Sequence, residues 1–325
     1  MDRREIEEFC KILNLDVVGF VKMRKFTELK ELYLKRKEEK SENEFEEKDI
    51  DKRINPFSYM EEGKTIISIA FPYSTFKECE DNGFSVYTKG MDYHKVVLSY
   101  LEKICDKLKE RGYKTKALVD SNTLPERYIA YLAGIGFIGK NNMLITEKYG
   151  SYVFLGEIIT DLELDIKEKN KILELKEYKE CGKCNICFKE CPTKAINKFK
   201  RNTNICISYL TQKKDLSDKE MKLLNGRVFG CDSCQKKCIY NEGIEKGKIK
   251  EFNPYEFMEK ENLEFLINMT NGEFKETFKN TSCGWRGKNT LIRNGIIRKK
   301  LYKKEDIKGI KTESPYIKDY INRLL

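Results

Sequence analysis

Histidine is almost absent from this chain: His94 is the only one. Zinc sites and catalytic dyads that need several imidazoles are therefore excluded. Proline is scarce as well, six in 325 residues, and no glycine repeat runs through the sequence, so collagen-like architectures are out. No window approaches the ~18 uninterrupted apolar residues of a membrane span. The opening residues, Met1 to Glu8 (MDRREIEE), run into acid where a signal peptide needs an apolar stretch. A soluble, cytoplasmic protein with no membrane partner is expected.

What is present narrows the reading. Sixty-three Lys+Arg against 53 Asp+Glu give a net charge of +10, and the 40% hydrophobic share is ordinary for a folded chain. At roughly 150 residues per domain the length suggests about two domains. Twelve cysteines are present, most of them between Cys181 and Cys238. In a reducing cytoplasm that cluster points to metal ligands rather than disulfides.

The run Cys181-x-x-Cys184-x-x-Cys187-x-x-x-Cys191-Pro192 matches C-x2-C-x2-C-x3-C-P at every position. This is the bacterial ferredoxin spacing for [4Fe–4S] ligation, whose fourth cysteine serves the other of two clusters. Cys231-x-x-Cys234-x-x-x-Cys238, with Cys206 upstream, brings four more thiolates. If the ferredoxin exchange holds, Cys181, Cys184, Cys187 and Cys238 bind one cluster, and Cys191, Cys206, Cys231 and Cys234 the other. Cys10 and Cys105 lie on apolar helical stripes and read as buried structural thiols. Cys79 and Cys283 take no role.

Helical and strand patterns alternate through the first half. Helix is expected at 1–13 and at His94–Glu110, and strands at Asp16–Met23, Thr65–Phe71 and Lys114–Val119. Thr123-x-x-Glu126, with Pro125 in the first turn, reads as a capping box opening another helix. Two strands joined at Tyr149-Gly150 should fill Met143–Asp161. Three blocks follow: an α/β domain over 1–175, a two-cluster domain over 176–245, and a helical region over 246–325. The lysine-rich segment Lys167–Glu180 bridges the first two. Gly134-x-Gly136-x-x-Gly139 satisfies G-x-G-x-x-G, but a helix precedes it and a strand follows, the reverse of the dinucleotide fingerprint. Those glycines imply close backbone approach, either to a neighbouring element or to a bound cofactor.

Asp120 ends a predicted strand, where open α/β sheets place ligand sites; its competing reading is a turn-former capping Asn122 or Thr123. Two basic clusters stand out: Lys194, Lys198, Lys200, Arg201, and then Arg286, Lys288, Arg293, Arg298, Lys299, Lys300 beside Trp285. Basic patches with an aromatic platform suit RNA phosphates and unstacked bases.

Six motifs occur in order: Asp92-Tyr93-His94-Lys95, Val119-Asp120-Ser121, the glycine segment Ala133–Asn141, the ferredoxin run, Cys206–Thr211 and Gly230–Gln235. Together they resemble the epoxyqueuosine reductases, cobalamin- and iron–sulfur-dependent enzymes of tRNA wobble-base modification, over roughly residues 50–300. The resemblance implies an α/β nitroreductase-like cobalamin-binding domain, a small ferredoxin-like two-[4Fe–4S] domain and C-terminal helices. It implies base-off cobalamin near one cluster, with Asp120 as proton donor at a raised pKa. Arg53, Ser85, Asp92, Tyr93, His94, Asp120, Lys140, Asn141 and Ser208 are its candidate cobalamin contacts. Lys198, Arg201, Arg286, Arg293 and Arg298 are the candidate tRNA contacts. The implied partners are a tRNA with a queuosine-type anticodon and an external low-potential electron donor, and a monomer is expected. The chain departs from the family in Cys238-Ile239-Tyr240-Asn241, where Cys-Pro-Trp-Asn is common, and is too short for a full set of C-terminal helical repeats. A corrinoid-dependent reductase of a small molecule and a non-catalytic electron carrier are the rival classes.

Overall fold

Asp2 opens the first helix, α1 (Arg3–Ile12), through a capping box: its side chain accepts from the Glu5 N–H, and Glu5 returns the bond to the Asp2 N–H. Ile6 and Cys10 lie on its buried face. The computed structural model describes residues 1–75, 77, 79–168, 170, 172, 178–198 and 201–325. Lys200 and part of the expected 167–180 bridge lie outside the described residues.

After α1 come β1 (Val18–Lys22), α2 (Lys30–Glu38), α3 (Ile50–Ile54) and β2 (Thr65–Pro72). Every residue of β2 is buried, as expected of a near-continuous apolar run covered on both faces. Helix α4 (Tyr93–Lys109), β3 (Thr115–Leu118), α5 (Glu126–Leu132), β4 (Phe137–Ile138), β5 (Leu144–Ile145) and β6 (Val153–Thr160) complete this part. The main sheet runs β1-β2-β6-β3, and every pairing in it is antiparallel. The end of β3 is thus not a parallel-sheet switch point, and the strand-end argument for Asp120 does not carry over.

Two local expectations change. The Thr123–Glu126 capping box does not form: α5 starts at Glu126 behind Pro125, and the Thr123 hydroxyl donates instead to the Lys52 carbonyl, 2.9 Å away. Of the two strands expected over Met143–Asp161, β5 pairs with β4 as a separate hairpin, while β6 joins the main sheet. That hairpin also accounts for the glycines. A Cβ on Gly136 would sit 2.5 Å from the Ile145 carbonyl oxygen, and one on Gly139 2.6 Å from the Ile145 side chain. The close approach is to a neighbouring element.

The chain packs as two compact units rather than three successive blocks. One comprises Met1–Ser74, Tyr93–Cys187 and Lys237–Ile249; the other comprises Thr75–Asp92, Phe188–Lys236 and Lys250–Leu325. The first holds the antiparallel sheet. The second is built on short helices around Leu210, Leu224, Ile296 and Tyr320, and around Phe84, Phe229 and Phe278. Among the described residues, no helix is long and apolar enough to cross a membrane.

Candidate iron–sulfur sites and the Asp120 loop

In the first unit Cys181, Cys184, Cys187 and Cys238 line one cavity together with Lys140, Asn141 and Ile145. A turn closed by the Cys184 N–H on the Cys181 carbonyl (2.9 Å) brings the first pair round. Burial pushes the Cys238 thiol up, and the charges of Cys181 and Cys184 push the same way. Four thiolates around one cavity call for a cationic core between them. Thiols spread around a cavity fit a four-iron core.

Lys140 belongs to this site. Its N–H points at Cys181 Sγ (3.5 Å), and its Nζ donates to the carbonyls of Gly182 (2.6 Å) and Cys184 (2.9 Å). Asn141 is buried, and its Oδ1 accepts the Met143 N–H at 3.2 Å. Both, expected on a corrin, line the cysteine cavity. In the departing Cys-Ile-Tyr-Asn segment, the Tyr240 hydroxyl donates to the Glu180 carbonyl, and the Asn241 side chain exchanges hydrogen bonds with Ser151.

The second unit carries Cys191, Cys206, Cys231 and Cys234. Burial pushes the Cys206 thiol up and so do Cys231 and Cys191, while the amides of Ser208 and Tyr209 pull it back. Ser208 therefore faces this second set. Ser85, expected on the corrin, is fully buried and donates to the Asp232 carboxylate, which also accepts the Val86 N–H at 2.9 Å. It braces the Gly230–Gln235 segment from within. Gly230 allows this approach: its φ is +72°, and a Cβ there would lie 2.6 Å from that of Ser85.

Asp120 stands on a sharp turn after β3 with φ +43°. Its Oδ2 accepts from the Tyr93 hydroxyl at 2.7 Å and lies 3.0 Å from His94 Nε2. The Tyr93 ring is sandwiched between His94 (4.1 Å) and Phe154 (4.3 Å). This aromatic file stands beside a carboxyl that is 55% exposed. Crowding pushes the Asp120 carboxyl up, but the bonds from His94 and Tyr93 outweigh it and hold the group below its ordinary value. The raised pKa expected from sequence is therefore not found. Asp92 joins the other unit through its N–H, 2.9 Å from the Asn280 carbonyl. Arg53 is taken up internally, 3.0 Å from Glu42, 3.5 Å from Glu46 and stacked on Tyr33.

The basic candidates divide sharply. Arg293 is 0% exposed and Arg298 2%, so both are interior residues and not RNA contacts. Arg293 donates to the carbonyls of Lys213 (2.8 Å) and Lys214 (2.6 Å), and Arg298 to Glu261 and the Gly226 and Asp81 carbonyls. Lys198 is exposed, Arg201 lies over Phe188, and Arg286 lies over the exposed Trp285 ring at 4.8 Å. Cys10, Cys105 and Cys283 are buried, and burial pushes the Cys10 and Cys283 thiols up to about 12.

Two residues of the Asp120 neighbourhood escaped sequence reading. Glu126 was taken for a helix cap. Glu157, the one charge in the apolar strand β6, is 1% exposed. A lone carboxyl inside such a strand is itself a signal.

Two sets of four cysteines in separate units, with a carboxyl held on a strained turn, define an iron–sulfur redox protein of the two-cluster class. Residues 180–241 match the family described as "4Fe-4S double cluster binding domain", and residues 53–121 match "Epoxyqueuosine reductase QueG, DUF1730". The chain is 34% identical to the epoxyqueuosine reductase of Lactococcus garvieae, over 90% of this chain and 85% of that one. It is 36% identical to that of Bacillus subtilis, over 91% and 78%. A crystal structure of epoxyqueuosine reductase with an epoxyqueuosine-modified tRNA-Tyr stem loop superposes with a TM-score of 0.87 at 33% identity, covering 98% of this chain and 88% of that one. The Streptococcus thermophilus epoxyqueuosine reductase structure gives 0.83 at 28% identity, covering 99% and 98%. The chain belongs to the epoxyqueuosine reductase family.

Proposed function

We propose that this protein reduces the epoxide of epoxyqueuosine at the wobble position of tRNA to the alkene of queuosine. The conversion takes two electrons and two protons and releases the epoxide oxygen as water. Electrons come from an external low-potential donor and pass through two [4Fe–4S] clusters, one on Cys181, Cys184, Cys187 and Cys238, the other on Cys191, Cys206, Cys231 and Cys234. The first unit is read as the nitroreductase-like cobalamin domain, with Tyr93 and His94 holding base-off cobalamin beside Asp120. When bound, cobalamin supplies the low-valent cobalt that makes electrons available to the epoxide carbon. Asp120 supplies a proton to the departing oxygen. Tyr93 and His94 hold Oδ2 in place and offer a path for replacing the proton.

The observation that carries this reading is the Asp120 carboxyl, partly exposed yet gripped by two side chains of one helix turn. Lys198, Arg201 and Arg286 remain the candidates for the tRNA backbone. An electron carrier would need no such surface, so salt-sensitive binding of an anticodon stem loop separates the two. For the clusters, anaerobically purified protein should hold about eight irons. Cys206→Ala should lower this to about four and leave the paramagnetic signal of the first set in place. Full iron content in that variant would remove Cys206 from the second set.

A further inference from the structure

The residue that shapes the Asp120 turn is Glu126. Its Oε1 accepts the Asp120 N–H at 2.7 Å and the Asn122 amide at 2.7 Å, so one carboxyl oxygen ties both sides of the turn together. Asn122 Oδ1 in turn accepts the Leu124 N–H at 2.8 Å. The tie steadies a turn in which Asp120 stands in the left-handed region, which few non-glycine residues other than Asp and Asn adopt. Behind Glu126 lies Glu157. Its Oε1 is 3.4 Å from the Ser68 hydroxyl, and its Oε2 is buried with no hydrogen-bond partner.

We propose that Glu126 is the positioning residue that fixes the Asp120 carboxyl at the reacting centre. The inference rests on the reading of Asp120 as proton donor and extends it to a residue that touches no substrate. A carboxyl buried in the apolar strand β6 is costly to keep charged and is driven toward its neutral form. Burial first, and then the charge of Asp120, push Glu126 up to about 7. Burial first, and then the charge of Glu126, push Glu157 well above its ordinary value. Glu126 Oε1 accepts both turn donors whatever the state of its other oxygen.

Two conservative variants separate reach from charge. Glu126→Gln keeps the arm length and an accepting oxygen, and its amide can donate to Glu157. Glu126→Asp keeps the charge but withdraws the oxygen by one methylene. In holoenzyme, Glu126→Gln should hold turnover within about threefold of wild type, whereas Glu126→Asp should lose about 10²-fold, the scale of a misplaced catalytic group. Stem-loop KM should not move in either variant. Hydrogen–deuterium exchange over 117–125 should follow the same order, about tenfold faster in Glu126→Asp and unchanged in Glu126→Gln. The reverse order, or wild-type exchange and turnover in Glu126→Asp, would overturn the proposal. Asp120→Asn, assayed alongside, tells the two failures apart. Full turnover in Asp120→Asn sinks the proton-donor reading, while a dead Asp120→Asn beside an unaffected Glu126→Asp sinks only this inference.

Discussion

Asp120→Asn should bind cobalamin and tRNA stem loop as the wild type does, yet turn over ~10²–10⁴-fold more slowly, the usual range for loss of a general acid. The substitution isolates the proton. Asparagine enters the left-handed region more readily than most residues, so the φ of +43° is kept without new strain. Its side-chain oxygen can still accept from the Tyr93 hydroxyl, which holds Asp120 Oδ2 at 2.7 Å. An amide has no acidic proton to give, so the loss should fall on turnover and leave KM alone. Single-turnover rates on an epoxyqueuosine stem loop read this directly. Equal rates in the two proteins would return Asp120 to the role of turn-former.

Arg293→Ala should be the most damaging single substitution in the helical unit. The side chain is fully buried and donates to the Lys213 and Lys214 carbonyls, to the Tyr316 hydroxyl (2.7 Å) and to Asn294 Oδ1 (3.0 Å). Hydrogen bonds to a charged group contribute about 1.5–3 kcal/mol each, and truncation leaves buried acceptors unpaired besides opening a cavity. A loss of at least ~3 kcal/mol is expected, which for a unit of this size lowers Tm by on the order of 10 °C. Thermal unfolding followed by circular dichroism checks it. A residue serving RNA phosphates would behave in the opposite way, leaving Tm unchanged and shifting the slope of log affinity against log salt by about 0.7–0.9.

Arg293 also shows where sequence reading stops. The segment Lys288–Ile297 mixes Lys, Asn, Thr, Arg and Gly with aliphatics, and nothing in that order says that almost all of it is buried. Its polar groups serve carbonyls from Thr211 to Lys214 and Val228, partners that only tertiary packing supplies. Glu126 was misread for the same reason. Thr-x-x-Glu is a sound local cap signal, but the carboxyl found the Asp120 turn and the threonine found Lys52. The double-cluster domain was legible because ferredoxin ligand order is written into short loops, where spacing alone limits the geometry. What spacing could not reveal is that the run divides after Cys187, so that Cys191 falls in the other compact unit. The strands were legible from their apolar runs. Their antiparallel order was not, since pairing depends on long-range register.

The most direct test of the proposed activity is anaerobic reconstitution with iron, sulfide and cobalamin, followed by nucleoside analysis of an epoxyqueuosine-containing tRNA incubated with a low-potential reductant. Queuosine should appear as epoxyqueuosine disappears, mole for mole, and only when both the clusters and cobalamin are loaded. Fully loaded protein that binds the stem loop and leaves its epoxide intact would contradict the account.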